Sequence, residues 1–156
     1  MSLFSYAEIQ RMLPHRYPML MVDAVLALEP EASIVAVKCV TGNEPCYARL
    51  PEAPTERQLA YPRCLIVESF SQAGAILWKQ SAGRGGSDDV LMFGVARDCE
   101  FEHDVFPGDS MQHRVRLERA LGDSLFLSGE TWVGDRRIAR FGWLVAVTRP
   151  ASAMAR

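Results

Sequence analysis

Glu68 is the side chain with the clearest capacity for proton transfer, because it stands inside an otherwise apolar segment. The segment reads LIVESFSQAGAIL from Leu65 to Leu77 and contains no proline. A carboxylate in such surroundings is costly to bury unless it is paired, and burial raises its pKa. If Glu68 is functional, we therefore expect a raised pKa that suits a proton donor. Taken alone, the pattern favours a glutamate that merely reaches solvent or a backbone amide.

Gln72 and two histidines are the next candidates for chemistry. Gln72 follows Glu68 by one helical turn on the same face, where it could hold the carboxylate, line a cavity or pack at an interface. His103 and His113 have polar neighbours in the C-terminal half, and we interpret both as surface residues. The four cysteines form no CxxC pair and have no nearby histidine at metal-ligand spacing. We therefore predict reduced thiols, with neither a metal site nor a disulfide framework.

The composition is that of one ordinary globular domain. The chain has 156 residues, of which 49% are hydrophobic and 23% charged, and we predict a single domain over residues 1–150 with a tail at 151–156. A net charge of -2 gives no general basic field for nucleic acid, and we interpret the arginines of residues 114–140 as solvated strand faces. The N-terminus lacks a secretory pattern and no apolar run is long enough to span a bilayer, so we expect a cytosolic protein without membrane association.

Two helices are predicted, one short and one long. Ser5 with Glu8 forms a capping-box pattern that begins a short helix, and Pro14 stops it. Pro62 fits the first turn of a second helix that extends to about Ala82, and apolar residues on more than one face of this helix indicate that other structure encloses it. Its small residues would let it lie close to a sheet. The stretch AGRGGSDD then forms a flexible exit.

Strands are predicted on both sides of the long helix. Segments rich in valine, isoleucine and leucine, or alternating with a period of two, indicate six strands separated by turns. They cover residues 19–28, 33–40, 90–101, 111–121, 125–133 and 137–148. Val115 alternates with Arg114 and Arg116, which indicates one solvated face on that strand. An antiparallel sheet wrapped around one central helix, an α+β arrangement, satisfies this order with a single core.

Five segments occur in the order found in a known protein family. They are LPHRYPMLMVDAV (13–25), NEP (43–45), LIVESFSQAGAIL (65–77), MFGVARDCEF (92–101) and FPGDSM (106–111). The chain resembles the bacterial 3-hydroxyacyl-acyl-carrier-protein dehydratases of the FabZ type over nearly its whole length. The resemblance implies the hot-dog fold of that family, which agrees with the predicted element order.

The resemblance also implies a dimer with two long helices side by side and two tunnels along the interface. Each tunnel takes the phosphopantetheine arm of an acyl carrier protein, with no other cofactor. In the family, a loop histidine of one subunit and a helix glutamate of the other form each site, and Glu68 matches that glutamate. His15 falls in an N-terminal turn, to which we assign packing and hydrogen bonding. The residues expected to contact the substrate are Gln72, Pro62, Arg63, Leu65, Gly94 and Val95.

The sequence departs from the family pattern in two places beside the expected site. The family loop carries Gly-His-Phe-Pro, whereas CYARLPEAPTERQLAYPRC (46–64) is longer and has no histidine. Arg49 and Leu50 are the nearest counterparts, and neither accepts a proton at neutral pH. Arg63 replaces the glycine whose backbone N–H can polarise the thioester carbonyl, and we expect its side chain to crowd that position. The prolines and charges of the loop predict an exposed excursion, from which Leu50 or Leu59 folds back over the tunnel mouth.

Three functions remain open from the sequence. The first is a dehydratase-family subunit in fatty-acid or polyketide-type assembly that supplies Glu68 to a histidine-bearing homologous partner. The second is a catalytically silent homodimer that binds acyl-pantetheine groups. The third is an active dehydratase with a displaced base, for which the candidates are Tyr47, Glu52, Glu56 and Tyr61.

Overall fold

The computed structural model describes residues 1–81, 89–150 and 152. The helices are α1 (Tyr6–Met12), α2 (Glu56–Leu59) and α3 (Arg63–Lys79), with a 3-10 helix at Pro45–Tyr47. The strands are β1 (Ala24–Glu29), β2 (Ser33–Cys39), β3 (Asp89–Phe101), β4 (Ser110–Leu121), β5 (Ser124–Val133) and β6 (Arg136–Pro150). Most of the AGRGGSDD exit and all of the predicted tail except Ser152 lie outside the described residues.

The six described strands form one antiparallel sheet in the order β1-β2-β4-β5-β6-β3. Helix α3 packs against this sheet and contacts β2, β3 and β4. The predicted antiparallel sheet around a single long helix is therefore confirmed. Strand β3 lies at one edge of the sheet, where it pairs with β6 alone.

Both predicted helix starts are found. Ser5 caps α1, because its side chain accepts from the Glu8 backbone N–H while the Glu8 carboxylate accepts from the Ser5 backbone N–H. Pro62 is the N-cap of α3, immediately before the first helical residue. The helix ends at Lys79 rather than near Ala82, with Gln80 as its C-cap, and the Ser81 hydroxyl just beyond it donates to the carbonyl of Leu77.

Helix α3 is enclosed as predicted, since every residue from Ser69 to Trp78 is buried. Small side chains permit a close approach to the sheet. A Cβ added to Gly74 would lie 2.5 Å from the Leu127 side chain on β5, which is closer than van der Waals contact allows. Fully burying an apolar side chain such as Phe70 contributes about 1.5–3 kcal/mol, so the enclosed face of this helix contributes to the core together with the strands.

The predicted alternation along β4 is confirmed. It also shows that the predicted exposure of one residue, His113, was wrong. Met111 and Val115 are buried while Arg114 and Arg116 are exposed. His113 has the same parity as Met111 and Val115 and is also completely buried, so the prediction that it is a surface residue is wrong. Its neighbours along the chain are polar because they face the other side of the strand. His103 is exposed, as predicted.

The arginines of β6 pair with acidic residues of neighbouring segments. Arg137 pairs with Glu102 and Glu130, and Arg140 pairs with Glu100. These cross-strand pairs agree with a solvated face rather than a basic one. Among the residues that the structure describes, no helix combines the length and apolar character needed to cross a bilayer.

Candidate active site

Glu68 opens onto a small pocket between α3, β3 and the turn that follows α1. The cavity measures about 170 Å³, and the Glu68 side chain is 32% exposed. Its wall combines a few polar groups with apolar side chains, as small-molecule sites do, while its volume lies below their usual range of about 300–1,000 Å³. The lining residues are His15, Glu68, Ser71, Gln72, Ala75, Leu91 and Phe93.

Gln72 holds the Glu68 carboxylate, and two backbone contacts fix which way its amide points. Its Oε1 accepts from the Met21 backbone N–H at 2.8 Å, while its Nε2 donates to the Met19 carbonyl at 2.6 Å. The second hydrogen of Nε2 is therefore available to Glu68, whose Oε1 lies 2.8 Å away. Of the uses considered for Gln72, the structure shows the first two, since its side chain holds the carboxylate and also lines the pocket. These contacts also explain why residues 19–23, predicted as strand, lie outside β1.

His15 lies against the same carboxylate oxygen. Its Nε2 is 3.3 Å from Oε1 of Glu68, and its side chain is 30% exposed. Its other nitrogen, Nδ1, is buried and has no hydrogen-bond partner among the described residues. The hydrogen bonding assigned to the LPHRYP turn is thus directed at the candidate catalytic glutamate.

The expected raised pKa of Glu68 is wrong. Interaction with His15 lowers the pKa most, burial acts in the opposite direction, and the hydrogen bond from Gln72 lowers it further. The sequence showed the apolar helix but not the two polar side chains that meet the carboxylate. Glu68 is therefore ionised at neutral pH, and it can donate a proton only after it has received one.

A second polar cluster lies on the other side of α3, one residue further along. Nε2 of His113 is 2.9 Å from the Ser69 hydroxyl, and Nδ1 is 2.8 Å from the Thr131 hydroxyl. Because Ser69 donates its own hydrogen to the carbonyl of Ile66, its oxygen is free to accept from Nε2–H. Thr131 then donates to Nδ1. Burial lowers the pKa of His113 to about 3, so this imidazole is neutral.

The loop between Cys46 and Tyr61 contains more structure than an exposed excursion. Tyr47 is buried and its hydroxyl donates to the carbonyl of Leu59, while the Tyr61 backbone N–H donates to the carbonyl of Val105. The charged central part is exposed, as predicted, and Leu50 packs against the core. The loop is therefore anchored at both ends and solvated between them.

None of the residues considered as a displaced base lines the pocket. Glu52 and Glu56 are exposed on the loop. Burial raises the pKa of Tyr47 to about 12 and raises that of Tyr61 as well, which leaves both hydroxyls protonated at neutral pH. Arg49, a counterpart of the family histidine, is exposed.

The remaining substrate-contact candidates also lie outside this pocket. The Arg63 guanidinium lies 3.7 Å from Asp104 and over the ring of Phe101. That its side chain crowds the thioester position stays a prediction. Pro62 is half-buried before α3, and Leu65 packs against the core.

Gly94 and Val95 are exposed on β3. A bulge between Phe93 and Val95 interrupts the alternation of the strand. Leu91 and Phe93 therefore face the pocket, and Val95 does not continue that row. Sequence alternation identifies Leu91 and Phe93 as one face, but it does not reveal the bulge.

Sequence reasoning missed the contact between His15 and Glu68. The two residues are 53 positions apart, and only the turn after α1 brings them together. The available signal was a histidine inside a matched motif. Within the described residues, no group of three or more His, Cys, Asp or Glu side chains is arranged to hold a metal ion.

One long helix against a six-stranded antiparallel sheet, with an acidic side chain of that helix facing a pocket, defines a hot-dog protein with a candidate acid–base site. Residues 13–142 match the family model described as the FabA-like domain, and this chain belongs to that family. It is 35% identical over 133 residues to the 3-hydroxyacyl-[acyl-carrier-protein] dehydratase FabZ of Campylobacter concisus, covering 82% of this chain and 86% of the relative. It is also 35% identical over 147 residues to FabZ of Caulobacter vibrioides, covering 92% and 89%.

Solved structures confirm the hot-dog fold. The dehydratase heterocomplex ApeI:P from Xenorhabdus doucetiae contains a chain that matches with a TM-score of 0.74 at 14% identity, covering 94% of this chain and 93% of that one. A Thermus thermophilus protein described as a thioesterase superfamily member matches with a TM-score of 0.60 at 15% identity, covering 82% and 88%. At these identities the two matches establish the fold and not the activity.

Proposed function

We propose that this chain is a dehydratase-family subunit that acts on 3-hydroxyacyl groups carried by an acyl carrier protein, in fatty-acid or polyketide-type assembly. The observation that carries the proposal is Glu68, whose carboxylate faces a pocket of about 170 Å³ from the helix that matches the family. The FabZ relatives bear the name of this activity. The substrate arm is phosphopantetheine, and the protein itself supplies the acid–base groups.

The reaction needs two proton-transfer groups. One group removes the C2 proton of the acyl thioester, the C3–O bond breaks, and the other group protonates the departing hydroxyl to give an enoyl thioester and water. Glu68 contributes one of these groups. Because it is ionised in the free chain, it takes up a proton from water before the substrate binds and then gives that proton to the departing hydroxyl, while the C2 proton goes to the second group.

The second group comes from a histidine-bearing homologous subunit. Two observations support this partnership. The loop over residues 46–61 has no histidine, and none of its candidate bases lines the Glu68 pocket. A dehydratase chain of the same fold belongs to a heterocomplex. In the resulting dimer, the two long helices lie side by side and one of the two tunnels has a complete pair of groups.

Turnover of 3-hydroxyacyl carrier-protein substrates by the chain alone and after co-expression with its histidine-bearing homologue tests this proposal. We expect the isolated chain to be at least about 10²-fold slower than the pair, because a positioned base contributes about 10²–10⁴ in rate. Native mass spectrometry of the same samples reports whether the heterodimer forms. Strong turnover by the isolated chain would contradict the partnership.

Glu68→Gln in the pair tests the residue itself. The amide keeps the shape of the side chain but cannot exchange a proton, so activity should be lost while the heterodimer persists. Glu56→Gln on the exposed helix α2 is the matched control, and we expect it to retain activity. Full activity of the Glu68→Gln pair would confine this chain to a scaffolding role. Binding of acyl-pantetheine without turnover in any combination would favour a silent binding protein.

A further inference from the structure

The turn that carries His15 is held in place by buried neighbours and by hydrogen bonds from the Arg16 side chain to its backbone. Leu13 before it and Met21 after it are 2% and 3% exposed. Between them, the Arg16 guanidinium donates to the carbonyl oxygens of Leu13 and His15, at 2.8 and 2.6 Å. The turn is therefore a fixed part of the fold, and the position of His15 is not that of a free surface side chain.

Gln72 ties this turn to the helix that bears Glu68. The amide of Gln72 bonds to the backbone on the C-terminal side of the turn, at Met19 and Met21, and also to the Glu68 carboxylate. Helix and turn thus share one buried polar side chain, which is 1% exposed. Any displacement of the turn relative to α3 breaks at least one of these bonds.

His15 and Gln72 meet the same oxygen of Glu68. Nε2 of each lies within 3.3 Å of Oε1, and the described residues offer no hydrogen-bond partner to Oε2. Hydrogen bonds to a charged acceptor are shorter and stronger than those between neutral groups. The carboxylate is therefore held through Oε1, while Oε2 stays available toward the pocket.

His15 itself is poorly placed to act on a substrate. Its Nδ1 is buried without a partner among the described residues, and its Nε2 is already directed at Glu68. A base must have a nitrogen within hydrogen-bond reach of the proton that it removes. Neither nitrogen of His15 satisfies this condition while the contact with Glu68 is kept.

We infer that His15 is a positioning residue for Glu68: with Gln72 it clamps Oε1 and leaves Oε2 as the oxygen that exchanges a proton with the substrate. This inference rests on the proposed function only for its effect on turnover. The clamp itself is a property of the isolated chain, and it can be measured there.

The direct test is a ¹³C NMR titration of the Glu68 carboxylate in the isolated chain. His15→Phe keeps a planar ring without a donor, so the pKa of Glu68 should shift upward. His15→Gln keeps a donor at a similar reach, so it should restore most of the original pKa. His103→Phe, the same substitution at an exposed histidine, is the matched control and should leave Glu68 unchanged. An unchanged Glu68 titration in a folded His15→Phe variant would overturn the inference.

The second readout is turnover of the pair formed with the histidine-bearing subunit. His15→Phe should lower kcat about 10-fold or more with little change in KM, because a misplaced catalytic group costs rate more than binding. His15→Gln should recover most of the rate. If His15→Gln retains the Glu68 titration yet loses as much kcat as His15→Phe, then His15 acts on the substrate directly and the positioning role is wrong. If the titration shifts as expected but no combination shows turnover, the clamp stands and the proposed function fails.

Discussion

Two histidines contact adjacent residues of the same helix, and their surroundings give them opposite properties. His15 meets Glu68 at the rim of a pocket, where both side chains are about one-third exposed. His113 meets Ser69 on the sheet side of α3, where it is completely buried between two hydroxyl groups. One cluster holds a charge, and the other is neutral and fully hydrogen-bonded.

The difference shows that one helix carries a structural polar cluster at Ser69 and a candidate catalytic group at the adjacent Glu68. A buried neutral imidazole with both nitrogens satisfied links α3 to β4 and β5, which contributes to stability and to a fixed helix position. The pair beside it is about one-third exposed, adjoins a cavity, and has one carboxylate oxygen, Oε2 of Glu68, without a hydrogen-bond partner among the described residues. We therefore expect substitutions at His113 to affect folding and those at His15 to affect Glu68.

The largest expected effect on stability comes from His113→Ala. Removing the ring leaves a cavity and an unpaired Thr131 hydroxyl, so the free energy of unfolding should fall by about 3 kcal/mol. Urea unfolding monitored by circular dichroism measures this change. His103→Ala at the surface and His15→Ala at the pocket rim should each cost less than about 1 kcal/mol. Equal losses of stability for the His15 and His113 variants would contradict the assignment of a structural role to His113 alone.

A smaller effect should appear in the pH dependence of stability. The pKa of His113 is about 3 in the folded chain and near 6.5 when unfolded, so below pH 6.5 the unfolded state binds a proton that the native state does not. Stability contributed by the neutral ring is thus lost as the pH falls, by up to about 1.4 kcal/mol per unit. Unfolding of wild type and His113→Phe between pH 6.5 and 5 should show a shallower slope for the variant. Parallel slopes would mean that His113 is not held neutral.

The smallest effect is expected from the loop, which touches neither histidine cluster. Deleting residues 52–57 removes the exposed middle of the loop, including the N-cap and the first two residues of α2, but keeps Tyr47, Leu59 and Tyr61. The melting temperature should stay within a few degrees, because long surface loops contribute little to stability. Differential scanning fluorimetry measures it. A collapse of the fold would show that this segment is part of the core.

Much of the fold could be predicted because its signals are local. The Ser5 capping box, the period of two along β4 and the proline before α3 each depend on residues that are close in sequence. The alternation of β4 also indicated that His113 is buried, because His113 lies on the same face of the strand as Met111. The prediction failed there because the polarity of its immediate neighbours was given more weight than the period.

The site could be predicted only in part because it depends on contacts between distant residues. Glu68 and Gln72 are one helical turn apart, so their pairing was among the expectations. His15 and the Gly94 bulge were not, since a 53-residue separation and an extra residue in one strand leave no local periodicity. The predicted shift of the Glu68 pKa was wrong for the same reason, since the lowering comes mainly from the distant His15.

The loop is attached at its two ends, and these attachments determine which of its residues can be replaced without moving α3. Tyr47 closes the segment onto Leu59, and Tyr61 fastens its far end to Val105, before α3 begins. The residues between these contacts are exposed in their charged central part, so their length and composition can change while the two points of attachment stay fixed. A substitution there can alter the reactive groups of the loop while the start of α3, and Glu68 on it, keep their position.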